Sequence, residues 1–293
     1  MQPLSLHPDL EQYRAIFEKA YLEYNQVTIV DQAAELTTSS KLGGSPYLPK
    51  GGTIPVNSKG EALTLLAQIN FAEMPALEDF PKQGILQFFI SASGKYGYSP
   101  DNKLNQDNFK LVFYEDFEPP AKNPAPVTQI TNPNLPMQKV ELKINFTKSM
   151  QLPFLTDTAF WGKHFSEFNP FYQDYQEAIG TDEEEYFKEE FLARSGNYFD
   201  FFKQFSQKDP NNKALEWYSD NVQSHVYSQV GGYSFFAQED PRDPSSDYDT
   251  QLLQLASGPY LQWGDAGVAH FFINKDDFSR LNFTNVLYTW ESN

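Results

Sequence analysis

The sequence predicts a β-rich α+β fold in which two related antiparallel β units are duplicated within one domain spanning 1–293, with flanking helices and a helical insert. Three observations carry this. Short apolar runs rich in Ile, Val, Leu, Phe and Tyr, bounded by Gly, Pro, Asn and Asp, read as strands throughout. Four pairs of these runs recur in the same order in the two halves of the chain. Helical periodicity is confined to the N-terminus and to one stretch between the halves.

The first element is the N-terminal helix. Leu10, Tyr13, Phe17, Tyr21 and Tyr24 recur at steps of three and four and give one apolar face. The first copy of the repeat then covers about 41–116 and the second about 228–293. Leu42-Gly43-Gly44 answers Val230-Gly231-Gly232, and Leu65-Leu66-Ala67-Gln68-Ile69 answers Leu252-Leu253-Gln254-Leu255. Gly84-Ile85-Leu86-Gln87-Phe88-Phe89-Ile90 matches Gly267-Val268-Ala269-His270-Phe271-Phe272-Ile273 at four of seven positions. Phe109-Lys110-Leu111-Val112-Phe113-Tyr114 is set against Phe283-Thr284-Asn285-Val286-Leu287-Tyr288. In this alignment His270 takes the place of Gln87.

Between the copies come three pieces. Residues 117–136 hold six prolines, which excludes a helix or a central strand and predicts an extended connection. Val140-Glu141-Leu142-Lys143-Ile144-Asn145-Phe146 alternates with period two and reads as a half-buried strand. The insert at about 160–222 has no counterpart in the first half. Phe171, Tyr175, Ala178 and Ile179 form a stripe, Thr181-Asp182-Glu183-Glu184 is a capping box, and Ser195-Gly196-Asn197 is a stop. Fifteen aromatics lie within 160–205, and the reading preferred is that they seal helices onto the sheet.

Charge and composition then narrow the function. Acidic residues number 39 and basic ones 22, giving a formal charge of −17, which opposes phosphate backbones and anionic lipid surfaces. No run of about 18 apolar residues is present to span a bilayer. The absence of cysteine excludes disulfides and thiol chemistry, and with no leader segment visible the expectation is a cytoplasmic protein. His7, His164, His225 and His270 are scattered and form no metal pattern, so no metal and no cofactor is expected. No nucleophile elbow, phosphate loop or dinucleotide fingerprint occurs.

The string Lys41-Leu42-Gly43-Gly44-Ser45-Pro46-Tyr47-Leu48-Pro49-Lys50-Gly51-Gly52 is unusual, and it is followed by Leu66-Ala67-Gln68-Ile69-Asn70, Gln238-Glu239-Asp240 and Trp263-Gly264-Asp265-Ala266-Gly267. Together these resemble the bacterial YwqG-like family, a domain of unknown function, from about residue 41 to the C-terminus. The resemblance implies a β-rich, roll-like fold with attached helices and internal duplication. It implies no activity and no catalytic residue.

Several residues remain as candidates for binding. Glu239, Asp240, Asp243, Asp247 and Asp249 crowd one loop, but the spacing of a calcium loop fails, and the reading preferred is a solvated acidic turn in which Arg242 offsets repulsion. Trp263 beside Asp265 suits either a stacking platform for a ligand or a turn whose ring covers the core. Gln87 and His270 sit at equivalent strand positions, where a cleft between the copies would place them on its two sides. The acidic run Glu183, Glu184 and Glu185 beside aromatics suits a partner surface. The leading functional expectation is a non-catalytic, immunity-like protein that binds a basic protein partner, but no nucleic acid and no membrane. The alternatives are a small-molecule or glycan binder in the inter-repeat cleft, through Tyr47, Trp263 and Asp265, and a hydrolase using unrecognised Asp and Glu residues.

Overall fold

The computed structural model describes residues 3–93, 95–118, 134–137, 141–157, 159–160, 213–224, 226–242 and 247–292. The prolines from 119 to 133, residues 161–212 with Glu183, Glu184 and Glu185, and also His164, His225 and Asp243, lie outside the described residues.

Ten strands form one antiparallel sheet. In chain order they are β1 (Leu22–Val30), β2 (Lys41–Gly43), β3 (Thr64–Asn70), β4 (Ile85–Ile90), β5 (Phe109–Tyr114), β6 (Glu141–Gln151), β7 (Gln229–Gly231), β8 (Thr250–Ala256), β9 (Val268–Ile273) and β10 (Val286–Glu291). Their order across the sheet is β10-β9-β8-β7-β1-β6-β2-β3-β4-β5. Read from either end, the list runs fifth, fourth, third and second strand of one copy and then the first strand of the other. The two leading strands have crossed over. β1 pairs with β7 and β6 pairs with β2, while β1 and β6 pair with each other from Leu22↔Gln151 to Val30↔Lys143. The alternating strand expected around 140–146 is therefore the counterpart of β1 and belongs to the repeat.

The correspondence extends to single residues. Lys41↔Gln68 and Gln68↔Gln87 on one side match Gln229↔Gln254 and Gln254↔His270 on the other. Each third strand carries a bulge at the same place, between Leu65 and Ala67 and between Gln251 and Leu253. The bulge turns two successive residues to one face. That is why Leu66 with Ala67, and Leu252 with Leu253, all enter the same core. Both Gly-Gly pairs end the second strands, with φ between +64° and +75°, a conformation that other residues rarely adopt. One pairing is corrected. Ile90↔Phe109 and Ile273↔Val286 make Val286, not Phe283, the partner of Phe109. The connections before the fifth strands differ, and the second contains a short helix, α3 (Lys275–Ser279), which displaces the match by three residues.

The sheet rolls so that its two ends face each other. Rings from β4 and β5 meet rings from β9 and β10, with Phe88 and Phe271 centroids 4.9 Å apart and Phe109 and Tyr288 5.1 Å apart. Both faces of β4 and β9 are buried, which explains their unbroken apolar runs. The N-terminal helix is shorter than expected. A 3₁₀ segment, Pro8–Tyr13, leads into α1 (Arg14–Lys19), and Tyr24 lies in β1. The run Val27-Thr28-Ile29-Val30 favours strand, and alternation from Tyr24 competes successfully with the three- and four-residue spacing. Of the insert, α2 (Lys213–Tyr218) and the π-helical turn Ser219–Gln223 are described, and Tyr218 packs on Phe17 of α1 at 6.0 Å.

Candidate functional site

The buried glutamines of the repeat clamp loops. Gln68 Nε2 donates to the Thr37 and Ser39 carbonyls at 2.9 and 2.8 Å. Its Oε1 accepts from the Tyr47 N–H and from Gln87 Nε2, both at 2.8 Å. Gln87 Nε2 also donates to the Tyr47 carbonyl at 2.7 Å. In the second copy Gln254 Nε2 donates to the Tyr227 carbonyl at 2.7 Å, and its Oε1 accepts from the Phe235 N–H at 3.0 Å. Tyr227 and Phe235 occupy the places of Ser39 and Tyr47. One amide thus closes the same Gly-Gly loop in both copies.

The copies diverge beside this clamp. In the second, His270 is fully buried and packs beside the Phe236 and Phe272 rings at 4.5 and 5.5 Å. Its Nδ1 is 3.4 Å from Gln251 Oε1, and its Nε2 has no partner among the described residues. Burial and the nearby Arg242 guanidinium hold its pKa well below the usual imidazole range. Arg242 is itself buried, which corrects the solvated-turn expectation. Its Nε and Nη2 donate to Asp240 at 2.9 and 2.8 Å, Nη2 donates to Asp157 at 2.6 Å, and the guanidinium lies 4.2 Å from the Phe272 ring centroid. Asp157 also accepts from the Ser234 and Phe160 N–H groups, and Asp240 from Ala159 N–H. Burial, with Asp240 adding to it, raises the Asp157 carboxyl above its ordinary range despite Arg242. Two carboxylates against one guanidinium leave this centre with a net negative charge.

A cavity of about 240 Å³ opens over it, lined by Asp157, Arg242, Tyr233 and Gln251 and bordered by Asp79, Asp249 and Lys275. Lys275 Nζ binds Asp79 at 2.9 Å, and the Asp79 hydrogen bond, with Asp249 and Glu78 nearby, raises its pKa. Neither carboxylate of the centre stands clear of Arg242 and the backbone, so the geometry suits holding a positive charge better than attacking a bond. Among the described residues no group of three or more Asp, Glu or His side chains is placed to hold a metal ion.

The residues singled out from the sequence are scattered. Tyr47 is buried, edge-on to Tyr114 and Phe117, and its hydroxyl accepts from the Glu118 N–H at 3.0 Å. Trp263 is fully buried against Tyr96 and Trp290, so its ring packs the core and offers no face to solvent. Asp265 is exposed on the turn closed by Gly267 N–H donating to the Trp263 carbonyl. Gln87 and His270 do occupy equivalent positions, but aromatic rings fill the space between the copies. The Arg242 centre escaped sequence reasoning because Asp157 lies 85 positions away from Arg242. The only local signal was a lone arginine among acids.

The family described as Domain of unknown function (DUF1963) matches residues 40–292. The chain belongs to this family. The DUF1963 match takes in β2 to β10, so β1, near the middle of the sheet, precedes the matched span. No curated protein matches the sequence. Among the described residues no helix is long and apolar enough to cross a membrane.

Proposed function

We propose that the protein is a non-catalytic interaction protein of the cytoplasm, YwqG-like and immunity-like in type, that neutralises a basic protein partner. The observation that carries this is the acidic mouth of the cavity over Arg242. Asp157 lies within it, Asp79 and Asp249 border it, Glu78 adjoins, and Lys275 is held among them. A lysine or arginine side chain from a partner finds an excess of carboxylate there. The wider surface agrees. The buried charges among the described residues, Lys41, Glu141, Asp157, Asp240 and Arg242, come close to cancelling, so the core of the described residues holds almost none of the net negative charge. A field of that sign speeds encounter with a basic surface and is weakened by salt.

The test immobilises the full chain and challenges it with native lysate at about 50 and 150 mM salt, where the Debye length falls to about 8 Å. Basic proteins retained at the lower salt should be lost at the higher, and the triple change Glu78→Gln, Asp79→Asn, Asp249→Asn should abolish retention. If nothing is retained, or if retention ignores both salt and the substitutions, the reading fails.

A further inference from the structure

A second cavity, of about 350 Å³, lies on the other side of β1 from the rolled core and has a different chemistry. It is bounded by the N-terminal segment, β1, β6, α2 with its π turn, and β7. Tyr21, Tyr24, Trp217 and Tyr227 supply ring surface, and Gln151 and Gln229 supply amides. Among the described residues no charged side chain lines it, in a chain of which 21% is charged. Its volume is at the lower end of the usual range for ligand sites, about 300–1,000 Å³, which suits one or two rings.

Gln229 gives the cavity direction. It is fully buried, and its Nε2 donates to Gln151 Oε1 at 2.8 Å and to the Gly231 and Tyr233 carbonyls at 3.0 Å. All three partners are acceptors, so the amide has one orientation, and its Oε1 has no partner among the described residues. A buried acceptor left open costs about 1–3 kcal/mol unless something donates to it. The first copy has charged groups at the same place. There Lys41 stands for Gln229 and Glu141 for Tyr24, and the two form a buried ion pair at 3.6 Å. In the second copy two neutral amides, Gln229 and Gln151, take the place of the pair, and Gln229 Oε1 is left over.

We infer that this cavity binds an uncharged, hydroxyl-bearing ring compound of the saccharide class. Its apolar ring face would lie on Trp217 and the tyrosines, and a hydroxyl would donate to Gln229 Oε1. The uncharged lining among the described residues disfavours phosphates, carboxylates and amines, and the unpartnered acceptor favours a ligand that carries a donor. The site is separate from the acidic mouth and stands or falls independently of it.

Calorimetric titration of the full chain with maltose and with N,N′-diacetylchitobiose, followed also by tryptophan fluorescence, tests this. At least one should bind with Kd of about 1 mM or tighter, the range of a few well-made contacts. Trp217→Ala, at a half-buried position, should weaken that binding at least tenfold with the melting temperature unchanged. Gln229→Met should do the same, and Trp217→Ala keeps the test decisive if that variant fails to fold. The inference is overturned if neither sugar binds, if Trp217→Ala leaves binding intact, or if adenosine binds better than both.

Discussion

The two copies share a scaffold and differ in what they bury. The row Lys41-Gln68-Gln87 in the first matches Gln229-Gln254-His270 in the second, yet only the middle glutamine is kept. It is kept because its task is backbone geometry, closing the loop after a Gly-Gly turn that both copies need. Its neighbours face space that differs between the copies. In the first, Lys41 and Glu141 neutralise each other beneath the Gly43-Gly44 loop, and burial holds the Lys41 pKa below its ordinary value despite Glu141. In the second the ionic group has moved outward to Arg242 and its two carboxylates, leaving one cavity over that centre and another at Gln229. After duplication, the shared element is the one that shapes the chain, and the sites lie where the copies disagree.

The comparison is broken most severely at Arg242. Arg242→Met leaves Asp157 and Asp240 buried without a cation and should cost about 3–5 kcal/mol, read as a lowered midpoint in urea. Lys41→Met should cost less, because it leaves one buried carboxylate without its cation where Arg242→Met leaves two. An equal or larger loss at Lys41 would show that the first copy carries the heavier ionic burden.

The shared glutamines give the next effect. Gln68 makes four hydrogen bonds and Gln254 two, so Gln68→Leu should destabilise more than Gln254→Leu by about 1–2 kcal/mol. Equal losses would mean that the loop contact alone sets the cost.

His270→Gln restores the residue of the first copy and sharpens the comparison through pH. The folded protein holds the ring neutral below its ordinary pKa, whereas the unfolded chain takes a proton near pH 6.5. Stability from this group is therefore complete above that pH and falls as the pH drops, by up to about 1.4 kcal/mol per unit. Glu291 acts in the opposite sense, because burial raises its pKa to about 7 and acidification from there towards 4.5 favours the folded state. Glu291 is present in both proteins, so their difference isolates His270. The advantage of His270→Gln should grow as the pH falls below 6.5, and a constant difference would remove the titration.

The smallest expected effect is that of a chelator. With no described cluster able to hold a metal, thermal melts with and without EDTA should coincide. A clear drop would point to ligands around Asp247 and Asp249.

Much of this scaffold was legible in the sequence. The Gly-Gly pairs, the glutamine-bearing third strands and the Gln87/His270 correspondence were visible because each needs a particular residue type at a fixed place in the pairing register. Phe109 was set against Phe283 because aromatic identity is cheap in a chain with 26 phenylalanines, and only the pairing to Ile273 decides for Val286. Tyr24 was read as helical because it extends the three- and four-residue spacing of the N-terminal helix, while the alternation that places it in β1 lies on its C-terminal side. The sites were the least legible part. Trp263 and Tyr47 looked available because burial is a property of the roll, and Asp157 and Arg242 meet only once the chain has closed.

The crossing of β1 and β6 also bears on how the chain comes off the ribosome. β1 is made early, but its partner β7 follows about 200 residues later, roughly 10–40 s at ordinary rates of synthesis. During that interval Leu22–Val30 has an unpaired edge, and β2 waits for β6. Neither copy can finish alone. The nascent first half is thus the stage at which the chain is most exposed to strand pairing with a neighbour, and a chaperone that shields Leu22–Val30 would be needed there more than anywhere later.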